Sequence, residues 1–480
     1  MMPQTSATPS ELTGAGFPTP DVPLCVDLDG ALSPVDTLHE SVLALARNAP
    51  WTLIRLPLWW RRGSGAVRRE MASRGGVDTS TLPLNAPLLE WLSAERSAGR
   101  RLILVTASHP DIAHEVADRL HLFDEILVGD KRTALVARFG ERGFDYAGHA
   151  RTEAALWSSA RRAIVVGGNR QIERIQGVAE VEREFHIERP TLASWMKAVR
   201  LHQWAKNVLI FLPALCAHRI FHAPVLFASM VAFFSFSLCA SSIYLVNDLL
   251  DLASDRRHAR KRHRQFAAGI VSARSGILVS LALLAISLGL AFLAGERFAA
   301  VLCAYYVLTW AYSLRLKRAA LVDVMTLASL YTIRIIAGAA ATQITVSFWL
   351  LAFSIFVFLS LAIVKRYTEI SEAAALGNAS VHGRGYSSQD LPLLLNLGVA
   401  AGYCTVVVMA LYINSMDALL LYHRTKPLWL VCPLLLYWIS RIWMLTTRGE
   451  MPDDPVVFTL RDRISLCVLG LVGLIVLISI

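Results

Sequence analysis

The second half of the sequence is a series of long apolar runs, and these runs limit the fold more than any other feature. From about residue 195 nine runs are candidate membrane-spanning helices, at 204–219, 222–247, 272–294, 297–314, 319–341, 346–364, 392–413, 427–446 and 464–480. Several are close to the roughly 20 residues that a helix needs to cross a bilayer. With 55% hydrophobic residues and a mean hydropathy of +0.47, the chain is too apolar for an ordinary soluble protein. An all-α, polytopic membrane bundle is therefore predicted over residues 191–480.

The loops between these runs differ in charge, and the difference predicts an orientation. One set carries most of the basic residues, including the cluster from Arg256 to Arg264, while the opposite set carries few. Cytoplasmic loops are enriched in Lys and Arg, so the basic set is predicted to be cytoplasmic, on the side of the N-terminal domain. This predicts a multi-pass protein of a bacterial-type inner membrane. The net charge of +10 suits a membrane face or anionic substrates, and without a nucleic-acid motif we expect no nucleic-acid partner.

The first 190 residues have a different pattern. Residues 1–20 are predicted to be a disordered lead-in. Over residues 21–190, short apolar runs alternate with polar, helix-like stretches, which is typical of a Rossmann-like, doubly wound α/β domain with a parallel sheet. The Trp-rich stretch at 51–60 is too short to span a bilayer. It predicts a helical cap or an amphipathic segment at the membrane interface.

Three aspartates follow the second apolar run, directly after Asn247. Asp248, Asp251 and Asp255 stand at i, i+3 and i+7, so on a continuous helix they share one face. Like charges on one face repel, whereas Mg²⁺ is typically held by a few carboxylates together with substrate phosphates. We predict that the three residues hold Mg²⁺. The alternative is a solvated helix end with ordinary polar capping residues.

A basic cluster comes immediately after these aspartates. Its members include Arg256, Lys261, Arg262 and Arg264. One interpretation is a topology signal alone, which needs cations but no acidic partners. The other is that the cations hold phosphate oxygens while the carboxylates hold metal. Both can hold at once, and together they predict a site for a diphosphate leaving group.

Other polar residues lie within or beside the apolar runs. Tyr312 and Lys317 end the fourth run, and Asp323 opens the fifth, with Arg334 eleven residues later and on the same helical face. An arginine this deep needs a partner or an aqueous cavity, and a structural pair with a carboxylate is the alternative to a binding role. The remaining two candidates are Lys206 on the first run and Lys365 at the end of the sixth.

The first predicted strand ends in Asp27-Leu28-Asp29-Gly30, and with later segments it resembles the haloacid dehalogenase-like phosphohydrolase superfamily. The resemblance implies that Asp27 is a nucleophile and Asp29 an acid/base, and that both support Mg²⁺. It also implies phosphate-binding roles for Thr106 and Lys131. The fourth family segment departs from the pattern, because His149 and Ala150 stand where an acid and a serine are usual, leaving Glu153 and Asp145 as nearby acids. An active phosphatase and a regulatory or structural relic both remain open.

The second half resembles the UbiA superfamily of membrane prenyltransferases. The similarity is carried by Asn247-Asp248-x-x-Asp251-x-x-x-Asp255 and by the Tyr312/Lys317/Asp323 segment. Within it, Gln203-Trp204-Ala205-Lys206-Asn207, the basic cluster and Lys365-Arg366-Tyr367-Thr368-Glu369 are closest to the decaprenyl-phosphate phosphoribosyltransferase branch. Ala259 and Gln265 replace prolines usual in that loop. The family pattern implies a helical bundle whose aspartates bind Mg²⁺-diphosphate.

This resemblance implies transfer of phosphoribose from phosphoribosyl diphosphate to a polyprenyl phosphate. Asp248 and Asp251 would neutralise the leaving group through Mg²⁺, with Asp255 holding metal or orienting a cation. Lys261, Arg262 and Arg264 would hold the diphosphate or the 5-phosphate. Asp323 is a candidate for the ribose hydroxyls. Arg334 or Lys365 would hold the lipid phosphate, and the fused phosphatase-like domain would act on the product.

Two other functions remain open at this point. One is an aromatic polyprenyltransferase, which consumes an allylic polyprenyl diphosphate and attaches the chain to a ring carbon. The other is a non-enzymatic transporter whose aspartates bind a coupling ion. Transporters usually place such residues near the membrane midplane between internal repeats, and this sequence shows no internal repeat.

Overall fold

The chain forms two compact units in a computed structural model that describes residues 22–61, 70–71, 76–107, 109–149, 154–187, 190–377, 384–452 and 454–480. The first, the α/β unit, contains the chain up to Ala198 together with Asp248–Gly276. The second, the helical unit, contains Val199–Asn247 and Ile277–Ile480. The segment Asp248–Gly276 was expected with the membrane bundle, but its contacts group it with the α/β unit. The predicted disordered lead-in at 1–20 lies outside the described residues.

The α/β unit is built on a six-stranded parallel sheet. Its strands are β1 (Leu24–Asp27), β2 (Leu102–Thr106), β3 (Glu125–Val128), β4 (Asp145–His149), β5 (Arg162–Gly167) and β6 (Glu180–His186). The strand order is β3-β2-β1-β4-β5-β6, so the direction of winding reverses beside β1. Central strands such as β1 and β2 are buried on both faces, which explains their uninterrupted apolar sequence. The predicted parallel sheet is confirmed.

Helices cover both faces of this sheet and complete the unit. They are α1 (Thr37–Asn48), α2 (Leu56–Trp60), α3 (Ala86–Ser97), α4 (Pro110–Leu120), α5 (Lys131–Phe139), α6 (Ala154–Ser159), α7 (Asn169–Gln176) and α8 (Leu192–Ala198), with 3₁₀ turns at Pro50–Arg55 and Thr79–Thr81. The Trp-rich stretch forms the first of these turns and α2. Trp59 packs with Leu45 and Met71 in a small core, while Trp51 is exposed. The stretch is therefore a helical cap on α1, and its predicted membrane-facing side stays a prediction.

The helical unit consists almost entirely of α-helices. It begins with a 3₁₀ helix, Leu201–Phe211. Its helices are α9 (Leu212–Cys216), α10 (Ala223–Leu250), α12 (Ala273–Ala294), α13 (Glu296–Leu314), α14 (Val322–Thr342), α15 (Phe348–Ala375), α16 (Leu391–Ile413), α17 (Met416–Leu421), α18 (Val431–Thr447), α19 (Pro455–Thr459) and α20 (Arg463–Ser479). Further 3₁₀ turns lie at Leu316–Arg318, Ser388–Asp390 and Lys426–Leu430. The short helix α11 (Leu252–Arg257) and the turn Lys261–His263 belong to the α/β unit.

Six helices in the described part of the chain are long and apolar enough to cross a membrane, not the nine predicted. They are Ala223–Leu250, Ala273–Ala294, Val322–Thr342, Phe348–Ala375, Ser388–Ile413 and Lys426–Thr447. The run at 204–219 is mostly 3₁₀ helix followed by the five-residue α9, whose second residue is Pro213. Helix α13 is long enough but less apolar, and α20 has only 17 residues.

Close backbone packing holds the 3₁₀ helix Leu201–Phe211 against α14. A Cβ atom added to Gly338 would lie 1.9 Å from the carbonyl oxygen of Ile210, so only glycine permits this approach. Ile210 and Ala337 belong to the same fully buried cluster. The contact fixes the polar residues of the 3₁₀ helix, among them Lys206 and Asn207, beside α14.

Candidate active site

The aspartate motif lies at a break between two helices. Helix α10 ends at Leu250, and Asp251 precedes α11 with φ −96° and ψ 8°. The prediction of three carboxylates on one face of a continuous helix is therefore wrong in this respect. Asp248 and Asp255 converge across the break, whereas Asp251 lies 3.7 Å from Arg47. We call the segment Asp248–Gly276 the aspartate loop.

One arginine joins the two converging carboxylates. Arg264 Nη1 donates to Asp248 Oδ1 at 3.2 Å and to Asp255 Oδ2 at 2.6 Å. Both aspartates are buried, while the Arg264 side chain is 33% exposed. Burial raises the pKa of Asp255 above its ordinary value, Arg264 opposes this rise, and the charge of Asp248 adds to it. Asp248 and Asp255 thus bind one cation together, and here that cation is the partly exposed guanidinium of Arg264.

The donor set of this pair suits Mg²⁺. Carboxylate oxygens are hard ligands, and Mg²⁺ is commonly bound by one or two carboxylates, with water and substrate phosphates completing its shell. Among the described residues no group of three or more His, Cys, Asp and Glu side chains is arranged to hold a metal. Asp248 and Asp255 could therefore hold the ion only with oxygens from a substrate or from water.

The predicted phosphate-binding cations separate into two kinds. Lys261 and Arg262 lie in the exposed 3₁₀ turn of the aspartate loop, from which the charge of Lys261 also acts on Asp255. Arg256, by contrast, pairs with Glu40 of α1, and Arg264 neutralises the two aspartates. Only the first kind is openly available to an anionic substrate.

Asn247, Lys317 and Tyr312 lie in the helical unit. The Asn247 amide donates to the Ser313 hydroxyl at 3.2 Å, which links α10 to the end of α13. Lys317 is in the half-exposed turn Leu316–Arg318 that follows. Tyr312 donates its hydroxyl hydrogen to Asp323 Oδ1 at 2.9 Å.

Asp323 is fully buried in the first turn of α14 and has three protein partners. Arg366 Nε lies 2.6 Å from Oδ2, and Arg384 Nη1 donates to Oδ1 at 3.1 Å. The third partner is Tyr312, and Arg366 also pairs with Glu369. Oδ1 therefore accepts hydrogen bonds from Tyr312, Arg366 and Arg384, whereas Oδ2 is held by the ion pair with Arg366 without an aligned hydrogen bond. Arg366 stood in a segment that carried the family resemblance, but the sequence assigned no role to Arg366 or Arg384.

A residue with a strained backbone conformation orients the start of α14, the helix that carries Asp323. Leu321 has φ +64°, a conformation that non-glycine residues rarely adopt. Its backbone N–H donates to the Tyr386 hydroxyl at 2.8 Å, which holds it there. The strain and its compensation both occur one turn before Asp323, so the orientation of this carboxylate is determined by the fold.

Arg334 is enclosed by neutral groups rather than paired with an acid. Its Nε donates to Asn207 Oδ1 at 2.8 Å. The guanidinium carbon lies 5.3 Å from the ring centroids of Phe236 and Tyr305 and 5.6 Å from that of Tyr331. Such cation–π contacts stabilise a desolvated cation. The predicted common face with Asp323 does not lead to a pair, and among the residues that the structure describes no carboxylate forms an ion pair with Arg334.

Lys206 and Lys365 both act on Asp454, a residue that the sequence did not single out. Lys206 forms an ion pair with Asp454 and lies 5.7 Å from the Tyr331 ring centroid. Burial alone would raise the pKa of Asp454, but Lys206 and Lys365 lower it below the ordinary value. Asp454 also caps α19 by accepting from Val457 N–H at 3.2 Å. In the sequence, Asp454 followed by Pro455 indicates a helix cap and gives no sign of an interaction with two lysines.

A second acidic site lies at the carboxyl end of β1. Lys131 Nζ donates to both oxygens of Asp27 at 2.7 and 2.6 Å, and the Tyr146 hydroxyl donates to Oδ2 at 3.0 Å. Burial raises the pKa of Asp27 to about 6, against the opposing effect of Lys131. Thr106 ends the neighbouring strand and is buried. The structure brings together Asp27 and Lys131, two residues that the haloacid dehalogenase-like resemblance implied, whereas nothing in the sequence pointed to Tyr146.

The other predicted members of this site have different positions. Asp29 Oδ1 accepts from the backbone N–H of Thr37 at 2.9 Å, which holds the start of α1. Asp145 lies at the opposite, amino end of β4, level with Leu24, and forms a buried ion pair with Arg100. It is therefore not close to Asp27, because a five-residue strand separates the two sheet edges. His149 ends β4 beside Gly30. Ala150 and Glu153 lie outside the described residues.

Comparisons with known proteins concern mainly the helical part of the chain. Residues 208–465 match the UbiA prenyltransferase family. The uncharacterized protein y4nM of Sinorhizobium fredii is 37% identical over 92% of this chain and 88% of its own. Nodulation protein NoeC of Azorhizobium caulinodans is 36% identical over 58% of this chain and 91% of its own. The decaprenyl-phosphate phosphoribosyltransferase of Mycobacterium tuberculosis is 33% identical over 57% and 89%, respectively.

A solved structure is also similar to this chain. The UbiA homolog from Archaeoglobus fulgidus bound to GPP and Mg²⁺ covers 59% of this chain and 99% of its own, with 17% identity and a TM-score of 0.47. The matched family residues include α10 and α12 to α19 of the structure described above. The alignment with y4nM extends over most of the α/β unit as well.

Proposed function

The chain belongs to the UbiA prenyltransferase family, and from that premise we propose that it transfers phosphoribose from phosphoribosyl diphosphate to a polyprenyl phosphate in the membrane. Family membership and the six apolar helices make it an integral, multi-pass membrane protein. Support for this donor comes from the similarity to the mycobacterial phosphoribosyltransferase over 89% of that enzyme. We place the α/β unit and the aspartate loop on the cytoplasmic side, as the charge of the loops predicts.

The observation that carries the proposal is the pair Asp248 and Asp255 sharing the partly exposed cation of Arg264. A diphosphate leaving C1 of ribose takes the bonding electrons and develops negative charge, while an oxygen of the lipid phosphate forms the new bond to C1. Mg²⁺ held by the two carboxylates would supply Lewis-acid neutralisation of that charge. Lys261 and Arg262, exposed on the same loop, would bind the diphosphate or the 5-phosphate. Asp251 is proposed to join the metal ligands when its contact with Arg47 opens.

The buried groups of the helical unit receive supporting roles. Asp323, with its oxygens engaged by arginines, would keep Tyr312 and Arg384 in place rather than bind ribose hydroxyls itself. Lys206 and Lys365 are the proposed contacts of the lipid phosphate, because both charges act on Asp454 and so lie in the same part of the helical unit. Arg334 would order Asn207 beside Lys206.

The α/β unit is proposed to handle a phosphate group, on the strength of the Asp27–Lys131 pair at the switch point of its sheet. The haloacid dehalogenase-like resemblance and the removal of the product's 5-phosphate remain predictions. The Tyr146 hydroxyl occupies one oxygen of Asp27, and the backbone N–H of Thr37 occupies one oxygen of Asp29. A Mg²⁺-dependent phosphatase would need these oxygens. Phosphate release from a ribose 5-phosphate lipid by full-length protein, compared with an Asp27→Asn variant, tests this point. Equal release by the two proteins would contradict it.

A donor assay on purified full-length protein tests the transfer itself. One reaction contains polyprenyl phosphate and phosphoribosyl diphosphate with Mg²⁺, and the other contains an allylic diphosphate and an aromatic acid. We expect diphosphate release only in the first, and its loss in Asp248→Ala. Release only in the second would overturn the proposal and favour the aromatic prenyltransferase.

A further inference from the structure

Helix α1 contacts the aspartate loop through a buried ion pair. Arg256 Nη1 and Nη2 donate to the two carboxylate oxygens of Glu40 at 3.0 and 2.8 Å. Both side chains are less than a tenth exposed, and Arg256 Nε donates to the carbonyl of Ala267 at 3.1 Å. A bidentate pair fixes the direction of the guanidinium as well as its position. Arg256 is thus held on all three of its nitrogens by protein groups.

The last turn of α1 contacts the loop at the helix break. Arg47 Nη1 donates to the carbonyl of Leu250 at 3.2 Å and lies 3.7 Å from Asp251 Oδ1. Leu250 is the last residue of α10, and the final carbonyls of a helix lack intrahelical partners. A cation is favourable at such a helix end. Arg47 therefore stabilises the break between Asp248 and Asp255.

Two further contacts lie at the rim of the loop, and the first is an exposed ion pair of the kind that contributes little to stability. Arg257 pairs with Asp78 at an exposed position. Gly269 has φ +74°, and a Cβ atom there would lie 3.0 Å from Pro34 Cγ. These contacts and those of α1 lie on both sides of Arg264 along the sequence.

The anchoring of α1 does not depend on the loop. Its first backbone N–H is held by Asp29, and its Leu45 packs with Trp59 and Met71. Asp36 caps the same helix end by accepting from Leu38 N–H at 2.9 Å. A helix fixed in this way is a firm support for whatever its outer side chains hold.

We propose that Glu40 and Arg47 are positioning residues of the transferase, so that the α/β unit shapes the aspartate loop in addition to any chemistry of its own. By holding Arg256 and the carbonyl of Leu250, they fix both ends of the break across which Asp248 and Asp255 meet at Arg264. This inference rests on the proposed function. It also gives Arg256 a structural partner where the sequence predicted a substrate contact.

A double-mutant cycle separates positioning from substrate binding. Glu40→Ala and Arg256→Ala are each expected to raise the KM for the diphosphate donor at least tenfold, with a smaller change in kcat. Because both act through one contact, the double variant should be no worse than the worse single variant. If the two single-variant effects on KM multiplied in the double variant, the inference would be overturned, because Arg256 would then bind substrate independently of Glu40.

Arg47→Ala provides a test without a buried charge, because this side chain is 44% exposed. We expect a several-fold rise in the donor KM at an unchanged unfolding temperature, with partial recovery in Arg47→Lys. Asp78→Asn is the matched control, since it removes an exposed contact of the same loop, and its KM should equal that of the wild type. A wild-type KM in Arg47→Ala, or equal changes in Asp78→Asn, would contradict the role of α1.

Trypsin cleavage of the full-length protein tests the same inference without any activity. Lys261 and Arg262 are exposed, so cleavage after them, followed by mass spectrometry, reports how firmly the loop is held. We expect at least tenfold faster cleavage in Glu40→Ala and no change in Asp78→Asn. Unchanged cleavage in Glu40→Ala would overturn the inference. If the wild type uses a different donor, the transfer proposal fails, yet this result still decides whether α1 holds the loop.

Discussion

The two buried acidic clusters of the chain are neutralised in different ways. Asp323 in the helical unit is surrounded by Arg366, Arg384 and Tyr312, and neither Asp323 nor Arg366 is exposed. Asp248 and Asp255 in the α/β unit share one guanidinium, which is one third exposed. Asp323 shares its two arginines with Glu369, whereas the guanidinium between Asp248 and Asp255 reaches solvent.

This difference distinguishes a structural charge from a binding charge. A carboxylate enclosed by largely buried arginines is closed to an added ion, and removing it leaves those arginines uncompensated. Two carboxylates that share a partly exposed guanidinium are open to exchange of that cation for a divalent ion. The exposure of the paired cation, more than the presence of aspartate, is why Asp248 and Asp255 are the proposed metal site.

The largest expected effect is on stability, in Asp323→Ala. Loss of this carboxylate leaves Arg366 buried without its partner, which typically costs about 3–5 kcal/mol. The unfolding temperature in detergent should fall sharply, with or without Mg²⁺. Thr326→Ala on the same helix removes only a hydroxyl bonded to its own backbone and should have little effect. A stable but inactive Asp323→Ala protein would instead make Asp323 a substrate-binding residue.

Asp248→Asn is expected to reverse this pattern, with a large loss of activity and a small change in stability. The amide cannot supply the charge that a divalent ion needs, so the rate of diphosphate release should fall by about 100-fold or more. Arg264 keeps Asp255 as its partner, so the unfolding temperature should change little. Asp417→Asn, at an exposed position in the first turn of α17, is the control and should retain activity. Comparable rates in both variants would remove the metal role of Asp248.

Arg264→Gln sharpens the comparison by removing the shared cation. Without Mg²⁺ the variant should lose about 2 kcal/mol of stability, since two charge-assisted hydrogen bonds are lost and two carboxylates are left in repulsion. Added Mg²⁺ should then raise its unfolding temperature more than it raises that of the wild type. The exposed Arg260→Gln is the control. An identical Mg²⁺ effect in all three proteins would show that the ion does not bind between Asp248 and Asp255.

The smallest expected effect extends the comparison to Asp27. Its pKa is raised from 3.8 to about 6, so the folded state binds the proton more tightly than the unfolded state. The resulting stability is fully present below pH 3.8 and is lost as the pH rises through 6. Between pH 7 and pH 5 this group should add about 1 kcal/mol. The difference in unfolding temperature between wild type and Asp27→Asn should change with pH accordingly, and a constant difference would contradict the raised pKa.

Local patterns in the sequence predicted those features that depend on local order. The parallel sheet follows from buried apolar runs, and Asp27 meets Lys131 because the carboxyl ends of β1 and β3 lie at the same edge of that sheet, on either side of β2. Membrane helices were recognised, but their number was overestimated because apolar content alone does not distinguish a 3₁₀ segment such as Leu201–Phe211 from a spanning helix.

Features that depend on distant partners could not be predicted from the sequence. The helix break at Asp251 has no glycine or proline to announce it, and its support comes from Arg47, 203 residues from Leu250. Asp323 was assigned to substrate because Arg366 and Arg384, 43 and 61 residues away, carry no pairing signal. The position of Asp145 depended on strand register, which places it at the opposite edge of the sheet from Asp27.

The discontinuous α/β unit has a consequence for how the protein is made. About 50 residues of the helical unit separate the main body of the α/β unit from its last segment. Glu40 can form its ion pair only after Arg256 has been synthesised, 216 residues later. Synthesis at roughly 5–20 residues per second means that about 4–16 s separate residue 198 from residue 276. During this time Glu40 is without its arginine while α10 is being inserted into the membrane. The nascent unit therefore lacks the buried partner of Glu40 until the residues after α10 have been made, which ties completion of the α/β unit to synthesis of that membrane helix.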